Sequence, residues 1–111
     1  MFIVLGSIAP TAGTPLDLFQ NYTVLRGKGQ QANSIYFQVD PGNTQDVYIG
    51  LRDLNVATDA GMLSTLRPPT ANSLSELTME ITNQPNPYNL DDFRIDVANT
   101  GDSVRVVVQV Y

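Results

Sequence analysis

Histidine, cysteine and tryptophan are all absent from this sequence of 111 residues. Without histidine or cysteine, the chain cannot by itself form a Ser-His-Asp triad, a Cys-His dyad or a zinc site with ligands of those types. The lack of cysteine also excludes a scaffold stabilised by disulfides. We therefore expect a protein that is not an enzyme and that carries no cofactor.

Basic residues are scarce as well. Six Lys and Arg residues, with Lys28 as the only lysine, stand against eleven Asp and Glu residues, which gives a net charge of −5. Nucleic-acid binding and attachment to anionic membranes both depend on clustered cations. No apolar run approaches the roughly twenty residues of a membrane span. We expect neither a nucleic acid nor a membrane as partner, and no small-molecule substrate.

Two acidic patterns deserve comparison with known sites. Glu76 and Glu80 would lie on one face of a strand, as a pair of glycosidase carboxylates would, but the solvated face of a half-buried strand explains them more simply. Asp53, Asn55 and Asp59 offer oxygen ligands of the type that Ca²⁺ prefers. In that stretch, Thr and Ser stand where an EF-hand requires Gly and Glu. We expect no metal at either place.

Tyrosines and a sequon suggest sugar chemistry in two ways. The triplet NYT that begins at Asn21 matches a glycosylation sequon, which often arises by chance. The five tyrosines could form a platform for sugar stacking on a sheet face, or they could simply occupy amphipathic edge positions. They are Tyr22, Tyr36, Tyr48, Tyr88 and Tyr111.

The C-terminal twenty residues show the clearest structural pattern. Apolar side chains recur at every second residue in DFRIDVA and again in SVRVVVQVY, which predicts two strands that each bury one face. Between them, NTGD contains Gly101, which can adopt the positive φ that a tight turn needs. We predict an antiparallel hairpin whose valine row belongs to the core and whose last strand is central to a sheet or pairs with a central strand.

Further strands are predicted at residues 22–26, 34–39, 46–51 and 76–81. The pair 34–39 and 46–51 resembles a hairpin, with the DPGN turn at Asp40 in type II geometry. Seven or eight short strands with frequent turns indicate one all-β domain over residues 1–111, an antiparallel β-sandwich of the jelly-roll or Greek-key type. The immunoglobulin variant is disfavoured because its Cys and Trp core residues are missing.

Two apolar segments fall outside this regular pattern. Residues 2–5, within an N-terminal arm or strand and loop at 1–15, form either a buried strand or an arm that inserts into another subunit; a processed leader is the alternative. Residues 53–72 form a long loop with one predicted helical turn. Exposed apolar segments mark protein contacts, unless they fold over the ends of the sandwich. The candidate interface residues are Phe2, Ile3, Val4, Leu5, Met62, Leu63 and Leu66.

Several features occur together: a short acidic chain without Cys or His, the opening MFIVLGSIAP, the turns NTGD and NQPNPYN, and the ending VRVVVQVY. In these features, and over nearly its full length, the chain resembles the small decoration (staple or cement) proteins of tailed-phage capsids, particularly those of short-tailed phages. The resemblance implies a jelly-roll-like domain on the exterior of the virion. Its partners would be the major capsid protein subunits, which it would staple together, alone or as a homodimer. A carbohydrate-binding or adhesin-type sandwich module is the alternative.

Overall fold

A computed structural model describes residues 2–18, 31–70, 73–80 and 88–110. Within these residues the chain forms nine strands and one short 3-10 turn at Leu90–Asp92. The strands are β1 (Phe2–Ile8), β2 (Leu16–Asp17), β3 (Gln31–Val39), β4 (Val47–Asn55), β5 (Ala60–Leu66), β6 (Glu76–Glu80), β7 (Tyr88–Asn89), β8 (Phe93–Val97) and β9 (Val104–Val110). The all-β prediction is confirmed. None of the described helical segments is long and apolar enough to cross a membrane.

The strands form two antiparallel sheets. The first sheet has the order β1-β9-β3-β6, and β7 also pairs with β3 next to β6. The second sheet has the order β2-β8-β4-β5. Strand β9 lies between β1 and β3, so the prediction that the valine-rich strand is central to a sheet is confirmed.

One hydrophobic core joins the two sheets. Its first-sheet members include Ile35 and Phe37 of β3, and its second-sheet members include Ile49 and Ile95, all fully buried. These residues follow the period of two that the sequence shows, because successive side chains of a strand point to opposite faces. Burying a side chain of this size stabilises the fold by about 1.5–3 kcal/mol. Both sheets therefore contribute side chains to the same core.

The two predicted hairpins are wrong, although their strands exist. Strand β8 pairs with β2 and β4 in the second sheet, whereas β9 lies in the first sheet. Likewise β3 lies in the first sheet and β4 in the second. Each connection therefore carries the chain from one sheet to the other. Alternation reports which face of a strand is buried, and it contains no information on which neighbour the strand selects.

The two crossing turns hold each other at one end of the molecule. Asp102 is buried, and its carboxylate accepts hydrogen bonds from the backbone N–H groups of Thr44 (3.0 Å) and Gln45 (2.8 Å). Asn43 and Ser103 exchange two further bonds: Asn43 Nδ2 donates to the Ser103 carbonyl, and Ser103 N–H donates to Asn43 Oδ1. Buried polar groups in both turns thus have partners, as burial requires.

The turn chemistry matches the prediction at one turn and departs from it at the other. Gly101 has a φ of 107°, so the positive φ predicted for NTGD is confirmed. In DPGN the Asn43 N–H donates to the Asp40 carbonyl at 3.1 Å, but Gly42 does not have a positive φ. The type II assignment is therefore wrong, since that geometry places a positive φ at the third residue.

The predicted long loop at 53–72 is wrong for most of its length, and so is its helical turn. Strand β4 continues to Asn55, and β5 begins at Ala60, so this region is a β-hairpin. The hairpin is irregular, because β4 carries three more residues than β5 between the pairs Gly50–Met62 and Asn55–Ala60. This extra length forms a bulge, which disguises the alternation that would have indicated a strand.

Other predictions have mixed outcomes. Strand β6 confirms the predicted strand over residues 76–80, while β3 begins at Gln31, three residues before the predicted start at residue 34. The strand predicted at residues 22–26 and the sequon at Asn21 lie outside the described residues.

Candidate protein interface

Strand β1 is an edge strand of the first sheet. Among the described strands it pairs with β9 alone, and Val4 is 69% exposed. Ile3 is partly buried against the core, and Leu5 is 4% exposed and belongs to it. Phe2 pairs with Gln109 through its backbone. Of the candidate residues in this segment, Val4 therefore presents the largest apolar surface that the structure describes.

Strand β5 is an edge strand of the second sheet, in which it pairs with β4 alone among the described strands. Leu63 is 46% exposed, Met62 is half-buried, and Leu66 is 2% exposed within the core. Leu63 has no pairing partner on β4, because Ile49 pairs with Ser64 and the next residue, Gly50, pairs with Met62. Leu63 is therefore the extra residue of a bulge. A side chain displaced in this way projects from the strand instead of joining the core. Leu63 is thus the counterpart of Val4 in the other sheet.

These two strands lie at opposite edges of the molecule. Strand β5 contacts β6, which is the far edge of the first sheet from β1. Three inter-strand spacings, roughly 14 Å, separate β1 from β6. The predicted interface residues therefore form two separated patches, and the structure does not bring them together into one.

Both edge strands are free of charge and of proline along seven residues each, FIVLGSI and AGMLSTL. The other terminal strands carry acids: β2 contains Asp17, and β6 contains Glu76 and Glu80. Charged residues and proline are the usual means by which proteins prevent an edge strand from pairing with another chain. Strands β1 and β5 lack these features and remain suited to contact with another protein.

An apolar stripe extends from Val4 across the outer face of the first sheet. Val4 pairs with Val107, Val107 pairs with Tyr36, and Tyr36 pairs with Thr78 on β6. We call these four residues the outer stripe. Val107 is not among the interface residues predicted from the sequence, although the sequence contains a signal for its apolar position on the outer face. In VRVVVQV, Val107 stands between Arg105 and Gln109 on the face of the strand that otherwise carries polar side chains.

A hydrogen bond connects the outer stripe to a carboxylate. The Tyr36 hydroxyl donates to Glu76 Oε2 at 2.7 Å. This hydrogen bond is the main reason that the pKa of Tyr36 is raised above its usual value of 10.0, with smaller contributions from burial and from the negative charge of Glu76. Glu76 thus has a local structural partner. The side chain of Glu80, the other member of the carboxylate pair considered above, lies outside the described part of the structure.

We predict that Glu76→Gln lowers the pKa of Tyr36. Since folding raises this pKa, the neutral phenol is the favoured form, and its stabilising contribution is present below pH 10.0 and is lost as the pH rises through the folded value. The ¹³Cζ resonance of Tyr36, followed by NMR through the alkaline range, measures the shift directly. A Tyr36 that titrates at the same pH in both proteins would contradict this assignment.

The described tyrosines do not share one face. Tyr36 lies on the outer face of the first sheet, and Tyr48 lies on β4 of the second sheet. Tyr88 packs edge-to-face against Phe93, with ring centroids 6.1 Å apart. Tyr22 and Tyr111 lie outside the described residues. A platform made of several tyrosines is therefore not formed by the three that the structure describes.

A broad groove lies beside Glu76. Its volume is about 830 Å³, and the turn after β3 and the segment before β6 form its walls. Polar side chains dominate the lining, which comprises Gln38, Pro41, Pro69, Thr70, Ser73, Leu74 and Glu76. Such a surface offers hydrogen-bond donors and acceptors to a hydroxyl-rich ligand.

The residues compared above with a calcium site do not form one in the described part of the chain. Across the described residues, no group of three His, Cys, Asp or Glu side chains could hold a metal ion. Asn55 uses its side-chain oxygen to accept the Ala57 N–H at 3.1 Å, a local turn contact. Asp53 lies in the bulge of β4, where its carboxylate approaches Gly61.

The sequence was also compared with known proteins. No protein-family model and no curated protein matches it. The interface geometry therefore provides the argument for function.

Proposed function

We propose that this protein is a structural component of a virion that binds the outside of an assembled icosahedral capsid and staples neighbouring capsid subunits. The observation that carries the proposal is the placement of two uncharged edge strands, β1 with Val4 and β5 with Leu63, at opposite edges of the molecule. A staple needs two separated contact surfaces, one for each subunit that it joins. The resemblance to phage decoration proteins supports the same function.

The order of the strands supports a jelly-roll sandwich for this staple. Eight strands form two four-stranded antiparallel sheets, β1-β9-β3-β6 and β2-β8-β4-β5, with β7 as an addition to the first. Jelly rolls are double-sheet structures of eight strands built from two Greek keys. In this arrangement β1 and β5 are edge strands of different sheets, which supports two separate contact surfaces.

The stabilising mechanism is mass action. A protein that binds the assembled shell and not the free subunits stabilises the shell by RT ln(1 + [L]/Kd) for each site. Contact with two subunits at once makes the second contact intramolecular, so two weak contacts act as one strong contact. The edge strands can add backbone hydrogen bonds to a capsid strand, while the apolar side chains supply buried area. The net charge of −5 keeps unbound copies apart.

The test is co-sedimentation with assembled capsid shells, with thermal melting of the shells in the presence and absence of the protein. We expect Val4→Asp and Leu63→Asp each to weaken shell binding by about a hundredfold, because either change removes one of the two linked contacts. Each should also abolish the increase in the melting temperature of the shell. Circular dichroism should show an intact fold, since both side chains are exposed.

Ala98→Asp is the matched control, because it places the same charge on an exposed position of the turn between β8 and β9, outside both edge strands and the outer stripe. It should bind shells as the unchanged protein does. Leu66 is unsuitable for this test, since it is buried and an aspartate there would disrupt the core. Shell binding that survives both Val4→Asp and Leu63→Asp would disprove the assignment of these two surfaces.

A carbohydrate-binding or adhesin-type function is the second candidate. The polar groove of about 830 Å³ beside Glu76 supports it, together with Tyr36, whose hydroxyl bonds to that carboxylate. Aromatic rings next to polar groups are suited to sugar recognition. Titration with a glycan panel distinguishes the two functions: specific binding that Tyr36→Ala removes, without any shell binding, would favour the adhesin.

A further inference from the structure

A small cavity lies between the connection from β1 to β2 and the tip of the β4–β5 hairpin. Its volume is about 260 Å³. Gly13 and Pro15 line one side, and residues 54–57 at the hairpin tip line the other. Asp96 of β8 completes the lining. Most of these side chains are apolar or small, so the acid stands out.

Asp96 is a buried carboxylate on the side of β8 that faces away from the core. Its neighbours Ile95 and Val97 belong to the core, so alternation directs Asp96 to the other face, yet only 2% of it is exposed. Leu54 is also buried without belonging to the core cluster, and it lies over Gly50. The hairpin tip therefore folds over this face of the second sheet and covers Asp96.

One carboxylate oxygen of Asp96 is already used. Oδ1 accepts the N–H of Gly13 at 3.0 Å and the N–H of Val97 at 2.8 Å. Oδ2 accepts no hydrogen bond from the residues that the structure describes. In the same residues, no fully buried side-chain oxygen lacks a partner. Oδ2 must therefore reach open space, and the space that Asp96 lines is this cavity.

Asp96 also has no cationic partner in the described part of the chain. The described ion pairs there join Arg52 to Asp92, Arg67 to Asp46 and Arg94 to Asp17. Arg94, two residues away on the same face of β8, pairs with Asp17 instead. A cation brought from outside can therefore donate a charge-assisted hydrogen bond to the open Oδ2. The cavity thus combines apolar walls with an acceptor that a positively charged group would satisfy.

We propose that this cavity binds a primary alkylammonium group. The hydrocarbon stem lies against Pro15, Leu54 and Val56, and the ammonium donates to Asp96 Oδ2. A guanidinium is the poorer fit, because its planar fork bonds best to two free carboxylate oxygens, and Oδ1 already has two donors. The ligand is either the side chain of a lysine on another protein or a free small amine.

NMR titration of the full chain with n-butylammonium tests the proposal. The amide resonances of Gly13, Asn55 and Ala57 should shift with saturation. The neutral isostere n-butanol should bind at least about tenfold more weakly, as should n-butylguanidinium. Equal shifts with the amine and the alcohol, or no shift at these amides, would overturn the proposal.

Two variants separate the charge from the cavity. Asp96→Asn keeps a side-chain oxygen for the two backbone N–H groups but removes the charge, and it should lower n-butylammonium affinity by about tenfold or more. Ala57→Phe fills the cavity without changing Asp96 and should have the same effect, which keeps the proposal testable if Asp96→Asn unfolds. Unchanged affinity in a folded form of either variant would overturn the proposal.

The final comparison identifies the source of the amine. A short peptide with one lysine and its norleucine analogue are titrated beside n-butylammonium. Binding of the lysine peptide at least as tight as that of the free amine, with loss in the analogue, supports the proposal with a protein lysine as ligand. Tighter binding of the free amine supports the proposal with a small amine as ligand. This site is separate from the stapling surfaces, so the double variant Val4→Asp with Leu63→Asp should bind n-butylammonium normally.

Discussion

Replacing Asp102 by alanine should lower the free energy of unfolding by about 2–4 kcal/mol. Each oxygen of this buried carboxylate accepts one backbone N–H, from Thr44 through Oδ1 and from Gln45 through Oδ2. Alanine removes both acceptors and leaves two N–H groups without partners. Hydrogen bonds to a charged group contribute more than neutral ones, so the loss should be large for a single side chain.

The location of Asp102 increases this effect. The residue belongs to the turn between β8 and β9, and its partners belong to the turn between β3 and β4. Both turns carry the chain from one sheet to the other, so the carboxylate joins the two crossings. Its loss should therefore loosen the end of the molecule as a whole, with faster hydrogen exchange at Thr44 and Gln45.

Urea unfolding followed by circular dichroism measures the change, and Asp46→Ala is the control. Asp46 pairs with Arg67 at 3.2 Å, but the side chain of Arg67 is 78% exposed, and exposed pairs contribute no more than about 1 kcal/mol. Asp102→Asn should lie between the two variants, because it retains one acceptor oxygen. If Asp102→Ala proved as mild as Asp46→Ala, the crossing turns would not depend on this carboxylate.

Gly50→Ala should destabilise the protein by about 1–3 kcal/mol through overpacking. A Cβ built on Gly50 would lie 2.5 Å from the carbonyl oxygen of Gly61 and 2.6 Å from Leu54 Cδ1. Leu54 can adjust its rotamer only in part, since it is buried, and the Gly61 carbonyl is backbone. The hairpin tip must therefore move away from the second sheet.

Gly42→Ala is the matched control for this prediction. A Cβ at Gly42 would meet nothing within 4 Å, and Gly42 does not have a positive φ. Its effect should be small, or stabilising by about 0.4–1 kcal/mol, because alanine reduces the entropy of the unfolded chain. Thermal unfolding of both variants under the same conditions gives the comparison. Equal stability of the two variants would show that the hairpin tip does not pack closely on Gly50.

The two substitutions should differ in their effect on the proposed alkylammonium site. Because the hairpin tip covers Asp96, Gly50→Ala should also open the cavity and weaken n-butylammonium binding. Asp102 does not line the cavity, so Asp102→Ala should weaken n-butylammonium binding less than Gly50→Ala does, when both are measured below the lower of their melting temperatures.

Local patterns predicted most of the strands. Residues that alternate in FRIDV, VRVVVQV and YFQV bury one face because a strand directs successive side chains to opposite sides. Gly101 was predictable too, since a positive φ is inexpensive only for glycine. Strand β5 was missed because the bulge in β4 and the bulge at Leu63 break the regular register that such patterns reveal.

The two segments of the proposed interface could be selected from the sequence, but the exposed residues within them could not. Composition alone drew attention to residues 2–5 and to Met62, Leu63 and Leu66. It could not separate exposed Val4 and Leu63 from buried Leu5 and Leu66, because that depends on which face of each strand the other sheet covers. Val107 is an apolar residue on a strand face that otherwise carries Arg105 and Gln109, and this exception in the sequence indicates the outer stripe.

By itself, the sequence indicated that the chain is all-β and that its main strands bury one face, and it shows that the chain contains no His or Cys. These properties depend on neighbouring residues and on composition, so no distant contact is needed to infer them. Only the tertiary structure decided that β8 and β9 part into different sheets, that β1 and β5 lie at opposite edges, and that Asp96 is enclosed. Each of these depends on contacts between residues far apart in the chain, where alternation is compatible with several partners.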